Sequence, residues 1–115
     1  MLANLRERCV SSMAYDVVYA NEARLDRDEM VSYLVRRLSN RGAARRFLND
    51  LDALIVRLES TPFMYPVADV KRLGRTGEYR KASLRSGYVV LYCVIGTTVA
   101  IARIFNARQD YARFV

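Results

Sequence analysis

The stretch from Glu78 to Tyr111 most constrains the fold. It contains two apolar runs rich in β-branched and aromatic residues, Tyr88–Ile95 and Val99–Phe105, on either side of Gly96-Thr97-Thr98. Strand-length runs around a short glycine-containing turn are the sequence form of a β-hairpin. Upstream, Tyr79–Leu84 mixes bulky and basic side chains, and Arg85-Ser86-Gly87 supplies a second turn. The segment therefore reads as a three-stranded antiparallel meander carrying Arg80, Lys81, Arg85 and Arg103, with Arg108, Gln109, Asp110 and Tyr111 at its exit.

The preceding chain supplies what covers such a sheet. Tyr15–Tyr19, Y-D-V-V-Y, has strand composition. Asp26 and Glu29 stand three apart like a capping box, predicting a helix over Asp28–Leu38 with Met30, Val31, Leu34, Val35 and Leu38 on one side. After the break at Ser39-Asn40-Arg41-Gly42, a second helix over Ala43–Ser60 repeats Ala44, Phe47, Leu48, Leu51, Leu54, Ile55 and Leu58 at helical spacing, and Pro62 stops it. Residues 61–76 read as an irregular loop. The order β-α-α-β-β-β predicts an α+β domain: a helical hairpin on one face of a mainly antiparallel four-stranded sheet, the other face open and rich in arginine. Residues 1–14 read as an N-terminal extension, with Met13 an alternative start, before a single domain over 15–115.

Charge is segregated along the chain. Basic and acidic residues balance up to Val70, whereas from Lys71 onward only Glu78 and Asp110 oppose the basic side chains, so the formal net charge of +7 lies wholly in this last part. Such a footprint points to a polyanionic or acidic partner. The chain contains no histidine, which excludes Ser-His-Asp and Cys-His nucleophile systems and histidine-based zinc sites. Cys9 and Cys93 are too few for a disulfide framework or a thiolate metal site, and no phosphate-cradling glycine loop occurs. The expectations are no metal, no cofactor, no membrane span and a cytoplasmic location. Tyr88 and Tyr92 share a strand face and read as packing residues rather than stacking platforms.

Taken together, the Y-D-V-V-Y strand, the helical hairpin closed by L-E-S-T-P, the segment Y-R-K-A-S-L-R-S-G-Y-V-V-L-Y and the ending R-I-F-N-A-R-Q-D-Y resemble the RelE/ParE toxins of bacterial type II toxin–antitoxin systems. The resemblance spans Tyr15 to Tyr111. It implies a small basic toxin bound by an acidic antitoxin from an adjacent gene, as a heterodimer or heterotetramer. It also implies one of two targets. RelE-like members cut mRNA on the ribosome, and ParE-like members poison DNA gyrase without catalysis. A third reading is a relative that has lost toxicity and only binds its antitoxin. On the ribonuclease pattern Arg80, Arg108 and Tyr111 match catalytic positions, and Lys71, Arg72, Arg75, Lys81, Arg85 and Arg103 are the expected nucleic-acid-binding residues. The chain departs from that pattern at Val89, where an arginine follows the Gly-Tyr pair. Ala82 replaces a second lysine, and Asn106 stands where many relatives have histidine. With those departures in view, an mRNA-cleaving toxin is the leading expectation and a gyrase inhibitor the alternative.

Overall fold

The computed structural model describes residues 15–68 and 78–107. Within them the order is β1 (Asp16–Tyr19), α1 (Asn21–Ser32) continued by a π-helical turn (Tyr33–Arg37), α2 (Arg41–Ser60), β2 (Val67–Ala68), β3 (Tyr79–Ser83), β4 (Tyr88–Ile95) and β5 (Thr98–Asn106). The sheet is ordered β1-β5-β4-β3-β2, with β1 parallel to β5 and the other pairs antiparallel. The expected helical hairpin on a mainly antiparallel sheet is therefore present, with five strands rather than four. The extra strand, β2, comes from the region read as irregular loop. At two residues it is too short to show an alternating pattern.

Two glycines set the register of the meander. Gly96 has φ +61° and Thr97 does not share the positive φ, so Gly96-Thr97 closes β4–β5 with glycine at the first central position. Gly87, at φ +94°, follows a turn in which its own N–H donates to the Leu84 carbonyl at 3.0 Å. Alternation along β4 then sends Tyr88, Val90 and Tyr92 towards the helices, where Ala82, Val99, Ile101 and Ile104 join them. A bulge in β5 at Ala102 lets both Ile101 and Ile104 face this way, because Leu91 pairs with Arg103 and Tyr92 with Ile101.

The stripe on α2 packs as its spacing demands. Ala44, Phe47, Leu51, Leu54 and Leu58 are buried, while Leu48 remains partly exposed. The Phe47 and Tyr88 rings meet at 4.5 Å between centroids, so Tyr88 is a core residue, as is Tyr92. Deeply buried leucines and phenylalanines of this kind contribute on the order of 1.5–3 kcal/mol each.

The sheet face opposite the helices differs from the expected open, arginine-rich surface. Leu91 and Phe105 are buried there and pack with Ala68 and Tyr79 in a second, smaller apolar cluster.

The start of α1 also departs from the sequence reading. The helix begins at Asn21, directly after β1, with Ala20 as an N-cap that has no side-chain hydrogen bond. Ala20 is held by its backbone: its N–H donates to the Ile101 carbonyl at 2.9 Å, and its carbonyl accepts from Arg24 N–H at 3.0 Å. Asp26 lies inside the helix, so the apparent capping box caps nothing. By contrast, Asn40 is a true N-cap for α2, its Oδ1 accepting from Ala43 N–H at 2.9 Å.

Candidate functional site

Arg80 stands at the start of β3 on the helix-bearing face, paired with Tyr92 across the ladder. Its guanidinium is engaged locally through both terminal nitrogens, with three of its five N–H groups bonded. Nη1 donates to the Tyr65 carbonyl at 2.7 Å and the Phe63 carbonyl at 3.3 Å. Nη2 donates to Glu78 at 3.3 Å, and the group lies 5.2 Å from the Phe63 ring centroid. The planar fork of arginine suits this arrangement, because it serves a turn, a carboxylate and a ring simultaneously. Two further bonds brace the same turn: Arg57 Nε to Tyr65 Oη at 2.8 Å, and Tyr92 Oη to the Pro62 carbonyl at 2.5 Å. Burial pushes the Tyr92 phenol up to about 12, so it stays protonated at neutral pH. This cluster fastens residues 62–65 to the sheet.

The other basic candidates among the described residues, Lys81, Arg85 and Arg103, do not converge on Arg80. Lys81 points to the opposite face, as alternation requires. Arg85 is exposed in the β3–β4 turn, roughly 16 Å along the extended chain from Arg80. That turn is held to α2 by Ser86 N–H, which donates to Asp50 at 2.9 Å. Arg103 is bound at the outer edge of β5: Nε and Nη2 donate to Asp26 at 2.8 and 3.2 Å, and its guanidinium lies 5.4 Å from the Phe105 ring. The Asp26 hydrogen bond raises the Arg103 pKa further above its ordinary value, with Glu22 and Glu29 adding to it. Lys71, Arg72, Arg75, Arg108 and Tyr111 lie outside the described residues. Among the described residues, no group of acidic or cysteine side chains could hold a metal, and no helix is long and apolar enough to cross a membrane.

The position of Asp26 was misread in the sequence for a specific reason. Its spacing to Glu29 imitates a cap, while its partners Arg103 and Ile104 are distant in the chain. Only the β5 bulge and the short β1 bring them together. Beside this contact a groove of ≈ 660 Å³ runs between α1 and the β5 edge, lined by Glu29, Met30, Tyr33, Leu38, Tyr88 and Asn106 among others.

Val89, at the position where ribonuclease relatives carry an arginine, is buried and pairs with Phe105. Ala82 is fully buried under the helices, and Asn106 ends β5 opposite Tyr88.

Two helices on one face of a mixed five-stranded sheet define a small α+β fold. A solved structure described as the chromosomal ParDE toxin–antitoxin system from P. aeruginosa superposes with a TM-score of 0.64 at 16% identity, covering 84% of this chain and 100% of that one. The archaeal RelE–RelB complex from Pyrococcus horikoshii OT3 aligns with a TM-score of 0.47 at 18% identity, covering 85% of this chain and 100% of that one. No curated protein sequence matches the chain. The family model for the ParE toxin of the type II toxin–antitoxin system parDE matches residues 17–111. The chain belongs to this ParE toxin family.

Proposed function

We propose that this toxin acts as ParE-like members of the family do, by poisoning DNA gyrase, rather than by cutting ribosome-bound mRNA. The observation that carries the reading is the engagement of Arg80. A catalytic arginine must offer free N–H groups to a phosphate whose charge grows in the transition state. Here three of the five hold the Phe63 and Tyr65 carbonyls and Glu78, which fixes the fork on the turn of residues 62–65. Val89 adds to this, since a buried valine facing Phe105 removes a cation and leaves no space for one.

The resting toxin is held by an antitoxin. The groove between α1 and the β5 edge suits a partner segment, because it combines the apolar Met30, Leu34 and Leu38 with the carboxylate of Glu29. Arg80 already has its own carboxylate, so neutralising it is not the antitoxin's task. Expression of the full chain without its neighbouring gene tests the target. The reading expects growth arrest with DNA breaks and an SOS response while mRNA stays intact. Cleaved mRNA with undamaged DNA would replace it with the ribonuclease reading.

A further inference from the structure

The turn between α1 and α2 gathers the densest group of cations in the described structure. Arg36 and Arg37 end the π-helical turn, and Arg41, Arg45 and Arg46 occupy the first turns of α2. No acidic residue lies between positions 36 and 46, and all five arginines are exposed. None of them forms an ion pair among the described residues. The nearest acid along α2, Asp50, accepts from Ser86 N–H, which also brings the turn bearing Arg85 to this side of the helix.

Three local rules are broken at this one place. The positive end of a helix dipole disfavours cations, yet the first turn of α2 contains no acid and begins with Arg41. The last turn of the first helix is widened, with Leu38 N–H donating to the Tyr33 carbonyl at 3.2 Å, an i→i−5 bond. Ser39 then takes a left-handed backbone with φ 50°, which for a non-glycine residue costs on the order of 1–2 kcal/mol. A fold that only needed to reverse direction would place glycine at position 39 and carboxylates at the start of α2. Local conflicts of this kind concentrate where a surface serves a ligand.

Arg41 and Arg45, four residues apart, lie on one side of α2 about 6 Å apart along the axis. Arg46 lies back over the helix start, where its Nη1 would sit 3.4 Å from a Cβ built on Gly42. The patch thus combines closely spaced guanidinium groups with the N–H groups of a 20-residue helix. Arginine alone makes it up, and arginine favours bidentate contact with phosphate oxygens.

We propose that this end of the helical hairpin is a nucleic-acid-binding surface, in which Arg36, Arg37, Arg41, Arg45 and Arg46 grip a phosphodiester backbone. It is separate from the Arg80 cluster and stands whether or not gyrase is the target. Contacts of this kind are sequence-independent and governed by counterion release.

The test is a salt titration of the full chain with a short duplex DNA of arbitrary sequence and a matching RNA duplex, followed by fluorescence anisotropy. Engagement of three to five phosphates predicts that log K falls against log salt with a slope of roughly −3 to −4.5. The pair Arg41→Gln, Arg45→Gln should reduce the magnitude of that slope by about 2 and weaken low-salt binding tenfold or more. The pair Arg36→Gln, Arg37→Gln should do the same from the other helix. Because the α2 pair removes cations from the positive end of a dipole, its melting temperature should not fall. Arg24→Gln with Arg27→Gln removes the same charge elsewhere and should leave most of the binding. A preference for DNA or RNA identifies the natural duplex, and either agrees with the proposal. It is overturned if no salt-dependent binding occurs, if the control pair loses as much as the patch pairs, or if polyglutamate displaces the duplex as well as unlabelled DNA does.

Discussion

Asp26 of α1 completes the backbone of β5 at Ile104. Its Oδ2 accepts the Ile104 N–H at 3.0 Å, on the strand edge that β1 abandons after Tyr19. The same carboxylate takes two donors from Arg103. A helical side chain thus stands in for a missing strand, and it secures α1 to the sheet more specifically than apolar packing alone.

Removing that carboxylate takes the acceptor from a strand N–H and the counter-charge from a mostly buried guanidinium. Arg103 and Asp26 side chains are only 20% and 13% exposed, so solvent replaces little of the loss. Asp26→Ala should destabilise the fold by about 2–4 kcal/mol in urea unfolding. Arg103→Ala should cost less, and the double variant should show a coupling energy of at least about 1 kcal/mol. Independent, additive losses would mean that the contact does not hold the edge.

Arg80→Ala distinguishes support of a turn from catalysis. The geometry expects a loss of about 1–3 kcal/mol in stability and early proteolysis around residues 62–65, because two carbonyls and Glu78 lose their donor. Lysine should rescue poorly, since one ammonium cannot serve the fork. A fully stable Arg80→Ala protein with abolished RNA cleavage would contradict this assignment.

Much of this arrangement is written locally in the chain, and the exceptions share a cause. The α2 stripe, the two glycine turns, the opposed faces of Arg80 and Lys81 and the packing roles of Tyr88 and Tyr92 follow from periodicity, and all are present. Periodicity cannot report pairing between distant residues. The Asp26 contact with Arg103 and Ile104, the bulge at Ala102 and the apolar cluster of Leu91 and Phe105 depend on such pairing. Arg80 illustrates the limit best: its basic character was legible, but the carbonyls of Phe63 and Tyr65 that occupy it were not. The arginines of the hairpin turn were concealed differently. Counted along the chain they are balanced by acids, but the fold places those acids elsewhere.

Val89→Arg would place a charge against Phe105 beside the buried Leu91. The structure predicts a destabilisation of about 1–3 kcal/mol and no gain of RNA cleavage. If the variant gained ribosome-dependent cleavage, the site would be a weakened ribonuclease.

Alkaline titration tests the core around Tyr92. Its folded pKa, about 12, lies above the ordinary tyrosine value of 10.0 because burial disfavours the phenolate. The protonated form is therefore the one the fold stabilises. Stability is intact below pH ~10 and declines as pH rises towards ~12. Tyr92→Phe should flatten that decline without abolishing it, since burial also raises Tyr19 and Tyr88. At neutral pH it should cost about 1 kcal/mol for the lost bond to the Pro62 carbonyl. An unchanged alkaline profile would mean Tyr92 titrates as an exposed tyrosine.

The central claim, a ParE-type toxin aimed at gyrase, is tested most directly by adding the purified full chain to gyrase, ATP and relaxed plasmid, beside a parallel reaction with translating ribosomes. The account predicts that supercoiling stops and cleaved plasmid accumulates in a gyrase-dependent manner, while ribosome-bound mRNA stays whole. Cut mRNA alongside gyrase that continues to supercoil would contradict it.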